Sequence, residues 1–306
     1  MSPPCRRRWP PLQRRHAELI GESRISVVLP ARNEAAALRG LLPSLRGLLP
    51  TAEIVVVDDG STDDTAAVAE ATGGRVISHP YPKGNGAAIK TGARAAQGDV
   101  LVFMDADGQH RPEDIPRLLA KLEEGYDMAV GARSMKDHAG AHRGLANALF
   151  NRFASWMVNH RVEDLTSGFR AVRAGHFRRY LYLLPNSFSY PTTCTMSFFR
   201  AGLGVAYVPV DMPPRIGRSH IRPLRDGIRF LLIILKIGTL YSPMKLFLPV
   251  SGVFFATGLG YYAYTYLAFH RFTNMSALLF ITSVLVFLIG IVSEQITMLI
   301  YKESED

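Results

Sequence analysis

Residues 100–110 read VLVFMDADGQH. The run Val100–Phe103 is apolar without polar alternation, as in a parallel strand covered on both faces. Two carboxylates follow, Asp105 and Asp107, one residue apart, and then Gln109. Carboxylates so spaced at a strand end both reach a single hard cation. Mg²⁺ and Mn²⁺ prefer such oxygen ligands and keep substrate phosphates in their shell. The Gln109 amide oxygen adds a further ligand. Asp-x-Asp alone reads equally as a turn, so its surroundings decide.

The surroundings repeat the pattern. Ile25–Pro30 (ISVVLP), Glu53–Asp58 (EIVVVD), Val100–Asp105 (VLVFMD) and Met128–Gly131 (MAVG) read as buried strands, with helical stretches at 34–49, 63–72, 85–97 and 111–124. Such alternation predicts an α/β domain with a mostly parallel central sheet. Pro30-Ala31-Arg32-Asn33-Glu34 closes the first strand and Val57-Asp58-Asp59-Gly60-Ser61-Thr62-Asp63 the second. Ser61, Thr62 and Asp63 offer a helix N-cap, and the carboxylates can reach a base or ribose. Ligands collect at the carboxyl ends of parallel strands, so three motifs there predict one crevice. Lys83-Gly84-Asn85-Gly86 precedes a helix containing Lys90. It suits an anion at a helix N-terminus, or a plain turn.

The 306 residues, 48% hydrophobic, accommodate one substantial domain and a smaller part. The net charge of +9 fits anionic partners. The basic residues gather near apolar segments and no nucleic-acid motif is present, which argues against nucleic acid as a partner. Cys5 and Cys194 are the only cysteines, too few for a disulfide framework or a zinc site. A reducing compartment follows. Residues 1–22 carry five arginines among prolines with no apolar run after them, which reads as a flexible basic tail and not a signal peptide.

Downstream of a domain at 23–220, residues 221–244 interleave Arg222, Arg225, Arg229 and Lys236 with Leu, Ile and Phe. This predicts an amphipathic helix on a membrane surface. Residues 245–306 read as an anchor. Leu246–Phe269 carries no charge and as a helix runs about 36 Å, enough to cross a hydrocarbon core of about 30 Å. Phe272–Ser293 is uncharged too, so two antiparallel spans leave both ends on one side. Arg225, Arg229, Lys236, Lys245 and Lys302 flank that side against Arg271 in the loop, which places the α/β domain in the cytoplasm. Glu294 lies at inner-leaflet depth, where an ionisable group calls for a partner.

The ordered set PARNE, VDDGSTD, KGNG, DADGQH, Gly131-Ala132-Arg133-Ser134 and Asp164-Leu165-Thr166-Ser167-Gly168-Phe169-Arg170 resembles the GT-A family-2 glycosyltransferases. The set looks specifically like the polyprenyl-phosphate group that includes dolichol-phosphate mannose synthase and bacterial undecaprenyl-phosphate glycosyltransferases. The resemblance covers residues 24–222 and extends to the two-span anchor, which implies the inner (plasma) membrane. It implies that Pro30, Ala31, Glu34, Asp58, Asp59 and Lys83 hold the nucleotide sugar, and that Asp105, Ala106, Asp107 and Gln109 hold the donor diphosphate with Mg²⁺ or Mn²⁺. It implies Arg133 on the acceptor phosphate, with Arg143 and Asn147 beside it. Asn147 stands where the family often has Ser. Arg215 and Ser219, in Arg215-Ile216-Gly217-Arg218-Ser219-His220, resemble a segment that closes over the diphosphate. His220 stands where Lys is usual, and meets phosphate as a cation only when protonated.

The implied reaction is inverting transfer of a sugar from GDP-mannose or a UDP-hexose to a polyprenyl phosphate. Asp107, Arg133 and Arg215 are the implied catalytic residues. A lipid phosphate is already anionic and needs no general base. Thr192 and Thr193 in FSYPTTC stand where many family-2 enzymes carry an acid, which favours such an acceptor and departs from the dolichol-phosphate mannose synthases. Another lipid acceptor and a non-catalytic nucleotide-sugar-binding scaffold are the alternatives. Homo-oligomerisation is open by analogy.

Overall fold

The computed structural model describes residues 24–133, 141–186, 190–211 and 238–302, without the side chains of 141–149 and 301–302. The basic tail, most of the amphipathic segment, and Arg215, Ser219 and His220 lie outside the described residues. The chain forms two compact units, Met1–Arg152 with Arg161–Arg218, and Phe153–His160 with Ser219–Asp306.

The first unit is built on seven strands: β1 Ile25–Ala31, β2 Glu53–Asp58, β3 Arg75–Ser78, β4 Val100–Phe103, β5 Met128–Arg133, β6 Arg170–Arg173 and β7 Val205–Val210. Their order is β3-β2-β1-β4-β6-β5-β7. β1 pairs in parallel with β2 and with β4, as do β2 with β3 and β5 with β7. β6 alone runs antiparallel, between β4 and β5. The mostly parallel sheet expected from the apolar runs is present. Three strands gave no comparable signal: β3 is partly exposed, β6 carries an arginine at each end, and β7 alternates in burial around Pro209. β4 ends at Phe103, short of the Val100–Asp105 run read as strand, and leaves Asp105 in the loop.

The helices of the first unit are α1 Ala35–Leu48, α2 Thr65–Ala71, α3 Asn85–Ala95, α4 Ile115–Glu123, α5 Ala141–Val158 (whose last turn belongs to the second unit), α6 Ala174–Arg179 and α7 Tyr190–Arg200. Leu38, Leu41, Leu42 and Leu45 recur at helical spacing and put one face of α1 into the core, beside Ile115, Leu118 and Leu122 of α4. Burying each such side chain stabilises the fold by about 1.5–3 kcal/mol. α3 lies so close to the sheet that a Cβ on Gly92 would meet Val28 Cγ1 at 2.3 Å and Val57 Cγ2 at 3.1 Å. Val28 is a buried β-branched residue that cannot swing aside. Gly92→Ala is therefore expected to destabilise by about 1–3 kcal/mol, read as a lowered thermal midpoint of the purified protein.

In the second unit, α8 Pro243–Phe269 and α9 Asn274–Lys302 are long and apolar enough to cross a membrane. Only 11% and 17% of their most apolar windows are buried, unlike the core helices of a soluble protein. Ser251 Oγ donates to the Ser283 carbonyl and Ser283 Oγ to the Ser251 carbonyl, both at 3.0 Å, clasping the two helices. Lys245 Nζ donates to the carbonyls of Trp156 and Met157 and to Asn159 Oδ1, satisfying the open end of α5. Glu294 Oε2 accepts the Met244 N–H at 3.4 Å, a partner for this ionisable group.

Candidate active site

Register decides which motifs meet. Ala31 pairs with Asp58, and Val28 with Phe103, so the loops after β1, β2 and β4 leave one edge of the sheet. The strand order reverses between β1 and β4, where a crevice opens. Because β6 is antiparallel, Arg170 pairs with Phe103 and its preceding loop, 164–169, enters at the same edge. Arg133, ending β5, arrives there too.

A cavity of about 610 Å³ fills this edge. Pro30, Ala31, Glu34, Asp59, Asp105, Ala106, Asp107 and Gln109 line it. Asp58, Lys83 and Arg133 are not among its lining residues. Asp58 is buried and accepts the Ser61 N–H through Oδ1 at 2.9 Å; Lys83 Nζ sits 5.5 Å over the Tyr81 ring. Arg143 and Asn147 lie on α5 with undescribed side chains. Arg32, Gly84, Asn85, Ala88, Thr166, Gly168, Tyr190 and Pro191 complete the lining that the motif roles left out.

The first two loops are stitched to each other. Asn33, in a left-handed conformation, donates its N–H to Ser61 Oγ and accepts the Thr62 N–H. Glu34 N–H reaches Thr65 Oγ1, and Ala35 N–H reaches Asp63 Oδ2. The Ser61–Asp63 cluster thus ties two loops together, and Asp63 Oδ1 also accepts the N–H of Thr65, the first residue of α2, at 3.1 Å, while Asp64 makes no side-chain cap bond. Asp59 is spent in a similar way. Its carboxylate accepts the N–H groups of Lys83 and Gly84, both at 2.8 Å, and His79 Nδ1 lies 2.7 Å away. His79 Nε2 in turn meets Thr91 Oγ1 on α3 at 2.9 Å. Burial alone would raise the Asp59 pKa; the bonds from His79, Lys83 and Gly84 outweigh it and hold the carboxyl below the usual range.

The acidic loop is folded on His110. The Asp105 N–H donates to His110 Nδ1 at 3.0 Å, and the imidazole stacks on Phe169 with centroids 5.0 Å apart. Asp107 Oδ1 accepts the Gln109 N–H at 3.1 Å. Burial pushes the Asp105 carboxyl up, and the Asp107 carboxylate adds to the push against His110, Asn85 and Arg170. Burial lowers the His110 pKa, which keeps the ring neutral and able to accept at Nδ1. A cation between Asp105 and Asp107 would relieve their mutual repulsion. A Cβ on Gly168 would stand 3.1 Å from Asp105 Oδ2, so the glycine leaves that carboxylate its room. No group of three His, Cys, Asp or Glu suited to a metal occurs among the described residues. The two carboxylates and Gln109 instead match a cation that takes its other ligands from substrate phosphates and water. The residues fit a divalent ion on those terms.

The far wall is neutral. Tyr190 is fully buried, its phenol kept protonated by burial, and donates to the Gly168 carbonyl at 3.4 Å. Arg170 is buried behind it, bonded to the carbonyls of Ser167 and Pro191 and to Thr195 Oγ1. Thr192 and Thr193 are buried, and Thr192 Oγ1 donates to the Leu165 carbonyl. Beside Thr166, Arg133 Nε lies 2.9 Å from Asp164 Oδ2, and its Nη2 reaches Asp164 Oδ1 and Thr166 Oγ1.

Residues 26–199 match the glycosyl transferase family 2 domain, and residues 242–299 match the GtrB C-terminal hairpin. Glycosyltransferase AglJ of Haloferax volcanii is 28% identical over 242 residues, 77% of this chain and 79% of AglJ. The undecaprenyl-phosphate 4-deoxy-4-formamido-L-arabinose transferase of Klebsiella pneumoniae is 35% identical over 153 residues, 47% of this chain and 44% of that enzyme, so the match spans under half of its length. Glucosyl-3-phosphoglycerate synthase of Mycobacterium tuberculosis, solved with Mn²⁺, UDP and glucosyl-3-phosphoglycerate, superposes with a TM-score of 0.57 at 26% identity, over 76% of this chain and 85% of that one.

Proposed function

This chain belongs to glycosyl transferase family 2 and has a GT-A fold, and from that premise we propose that it transfers a sugar from a nucleotide sugar to the phosphate of a polyprenyl lipid, with inversion. The observation that carries the reading is the far wall of the cavity. Thr166, Gly168, Tyr190 and Pro191 form it, and none is a carboxylate. A hydroxyl acceptor needs a base there; a phosphate oxygen does not. The two apolar helices, their match to the GtrB hairpin and the undecaprenyl-phosphate transferase among the relatives support a lipid as the carrier of that phosphate.

In this reading, Pro30, Ala31, Glu34 and Asp59 shape the nucleoside end of the cavity. Asp105, Asp107 and Gln109 hold the diphosphate end, where a bound Mg²⁺ or Mn²⁺ supplies charge neutralisation for the leaving diphosphate. The Mn²⁺ of the mycobacterial synthase supports a divalent ion. Arg133 orients the acceptor phosphate for in-line attack on the anomeric carbon, with Arg143 and Asn147 nearby, and Arg215, Ser219 and His220 close over the donor. Neutral Tyr190 and Gly168 exclude water beside the reacting carbon. The positive-inside bias supports an inner-membrane protein with a cytoplasmic catalytic domain. The test offers GDP-mannose, UDP-glucose, UDP-GlcNAc and UDP-galactose in turn to the detergent-purified chain, with undecaprenyl phosphate and Mn²⁺. Lipid products are read by mass spectrometry. A glycosyl phospholipid from one donor, lost with EDTA, is expected. Binding of a nucleoside diphosphate with no lipid product from any donor would overturn the choice of acceptor.

A further inference from the structure

Asp164 is the most heavily bonded carboxylate beside the cavity, yet no motif role falls on it. Its side chain is 8% exposed. Oδ2 accepts Arg133 Nε at 2.9 Å and the Arg133 N–H at 3.3 Å. Oδ1 accepts Arg133 Nη2 at 3.3 Å, the Thr166 N–H at 2.9 Å, Thr166 Oγ1 at 3.0 Å and the Ser167 N–H at 3.1 Å. Burial pushes its pKa up, but Arg133 and these N–H groups outweigh that and keep it ionised.

Two consequences follow from one side chain. The guanidinium is gripped along its Nε–Nη2 edge, and Thr166 Oγ1 also accepts from Nη2. Nη1 has no hydrogen-bond partner among the described residues, on a side chain that is 33% exposed. A planar fork held on one edge presents its remaining donors in a fixed direction, which a flexible lysine cannot do. Meanwhile the same carboxylate turns the chain at 164–167 and sets Thr166 and Gly168 into the cavity wall, the latter against Asp105. Asp164 therefore joins the arginine to the wall that faces the acidic loop.

We propose that Asp164 is a positioning residue for the acceptor phosphate: it aims Arg133 Nη1 at a phosphate oxygen while fixing the Thr166–Gly168 wall beside the diphosphate end. The inference rests on the reading of Arg133 as the acceptor-phosphate contact. It is distinct from a merely structural ion pair, which would leave phosphate recognition indifferent to how the guanidinium is held.

The test measures binding of farnesyl phosphate, with farnesol as control, to the full chain in detergent, for wild type, Arg133→Gln, Arg133→Lys, Asp164→Asn and the Asp164→Asn/Arg133→Gln double variant. UDP and GDP binding in Mn²⁺ is followed in parallel. Wild type is expected to prefer farnesyl phosphate, and Asp164→Asn and Arg133→Gln each to weaken it about tenfold, a usual coupling for side chains in contact. Arg133→Lys is expected not to restore it, and the double variant to lose no more than Arg133→Gln alone. If Asp164→Asn unfolds the chain, Thr166→Val removes the hydroxyl that shares Nη2 and should weaken binding about threefold, again only when Arg133 is present. Additive losses in the double variant, or wild-type binding by Asp164→Asn or by Thr166→Val, would overturn the proposal. If wild type does not distinguish farnesyl phosphate from farnesol, the phosphate-acceptor reading itself falls. That outcome is separable, because it appears before any substitution is made.

Discussion

Asp107→Ala is expected to lower sugar transfer by about 10²–10³-fold, the usual cost of removing one preorganised stabiliser of transition-state charge. The structure explains why the loss should fall on catalysis and not on folding. Asp107 lines the cavity on a loop whose shape is kept by the Asp105 N–H bond to His110 and the His110–Phe169 stack. Both survive the substitution. What goes is one of the two carboxylates proposed to hold a divalent ion, together with the turn bond to Gln109 N–H. Mn²⁺ binding in the presence of nucleoside diphosphate, followed by electron paramagnetic resonance, should weaken in step with activity while the thermal midpoint stays near wild type. Retained Mn²⁺ affinity with lost activity would assign Asp107 a different task.

Asp59→Ala should act through the fold of the loops after β2 and before α3. The carboxylate is buried and holds the N–H groups of Lys83 and Gly84 and the ring of His79. Each buried polar group left without its partner costs about 1–3 kcal/mol, so the loss amounts to a few kcal/mol. Amide exchange at Lys83 and Gly84 should rise sharply, nucleotide affinity should fall, and the thermal midpoint should drop. The sign of the pH dependence follows from the lowered pKa. A carboxyl whose folded pKa lies below its unfolded value contributes stability that is present above the unfolded pKa, ordinarily about 3.9 for Asp. That stability is lost as pH falls through the folded pKa. Asp164, Asp63 and Asp127 are shifted the same way. Acid unfolding of the wild type should therefore set in below about pH 4, and Asp59→Ala should flatten its acid limb. Unchanged exchange at residues 83 and 84 would contradict the assigned role.

Much of the cavity lining at the ends of β1, β2 and β4 was legible because it is local. A buried apolar strand followed at once by acids marks its own carboxyl end, and PARNE, VDDGSTD and DADGQH did so at β1, β2 and β4. The rest depends on pairings distant in sequence. β6 inserts antiparallel between β4 and β5 and carries Gly168 to Asp105, yet its residues Arg170–Arg173 lack a buried-strand pattern. Arg170 reads as a surface charge in the sequence; only the fold buries it behind Tyr190. The Asp59–His79 bond spans twenty residues and the Asp164–Arg133 pair thirty-one, so neither leaves a spacing signature. The Ser61–Asp63 cluster reads as a cap because caps are local, and Asp63 does accept the Thr65 N–H at the start of α2; the cross-link it also makes comes from the β1 loop beside it.

Comparison of undecaprenyl phosphate with undecaprenol as acceptors, under the same donor panel and Mn²⁺, tests the central claim most directly. Sugar transfer to the phosphate alone, with the sugar joined through a phosphodiester in the mass spectrum, is the predicted result. Transfer to undecaprenol, giving an O-glycoside with no phosphate in the linkage, would contradict the account, since it would require a base that the described residues of the far wall do not carry.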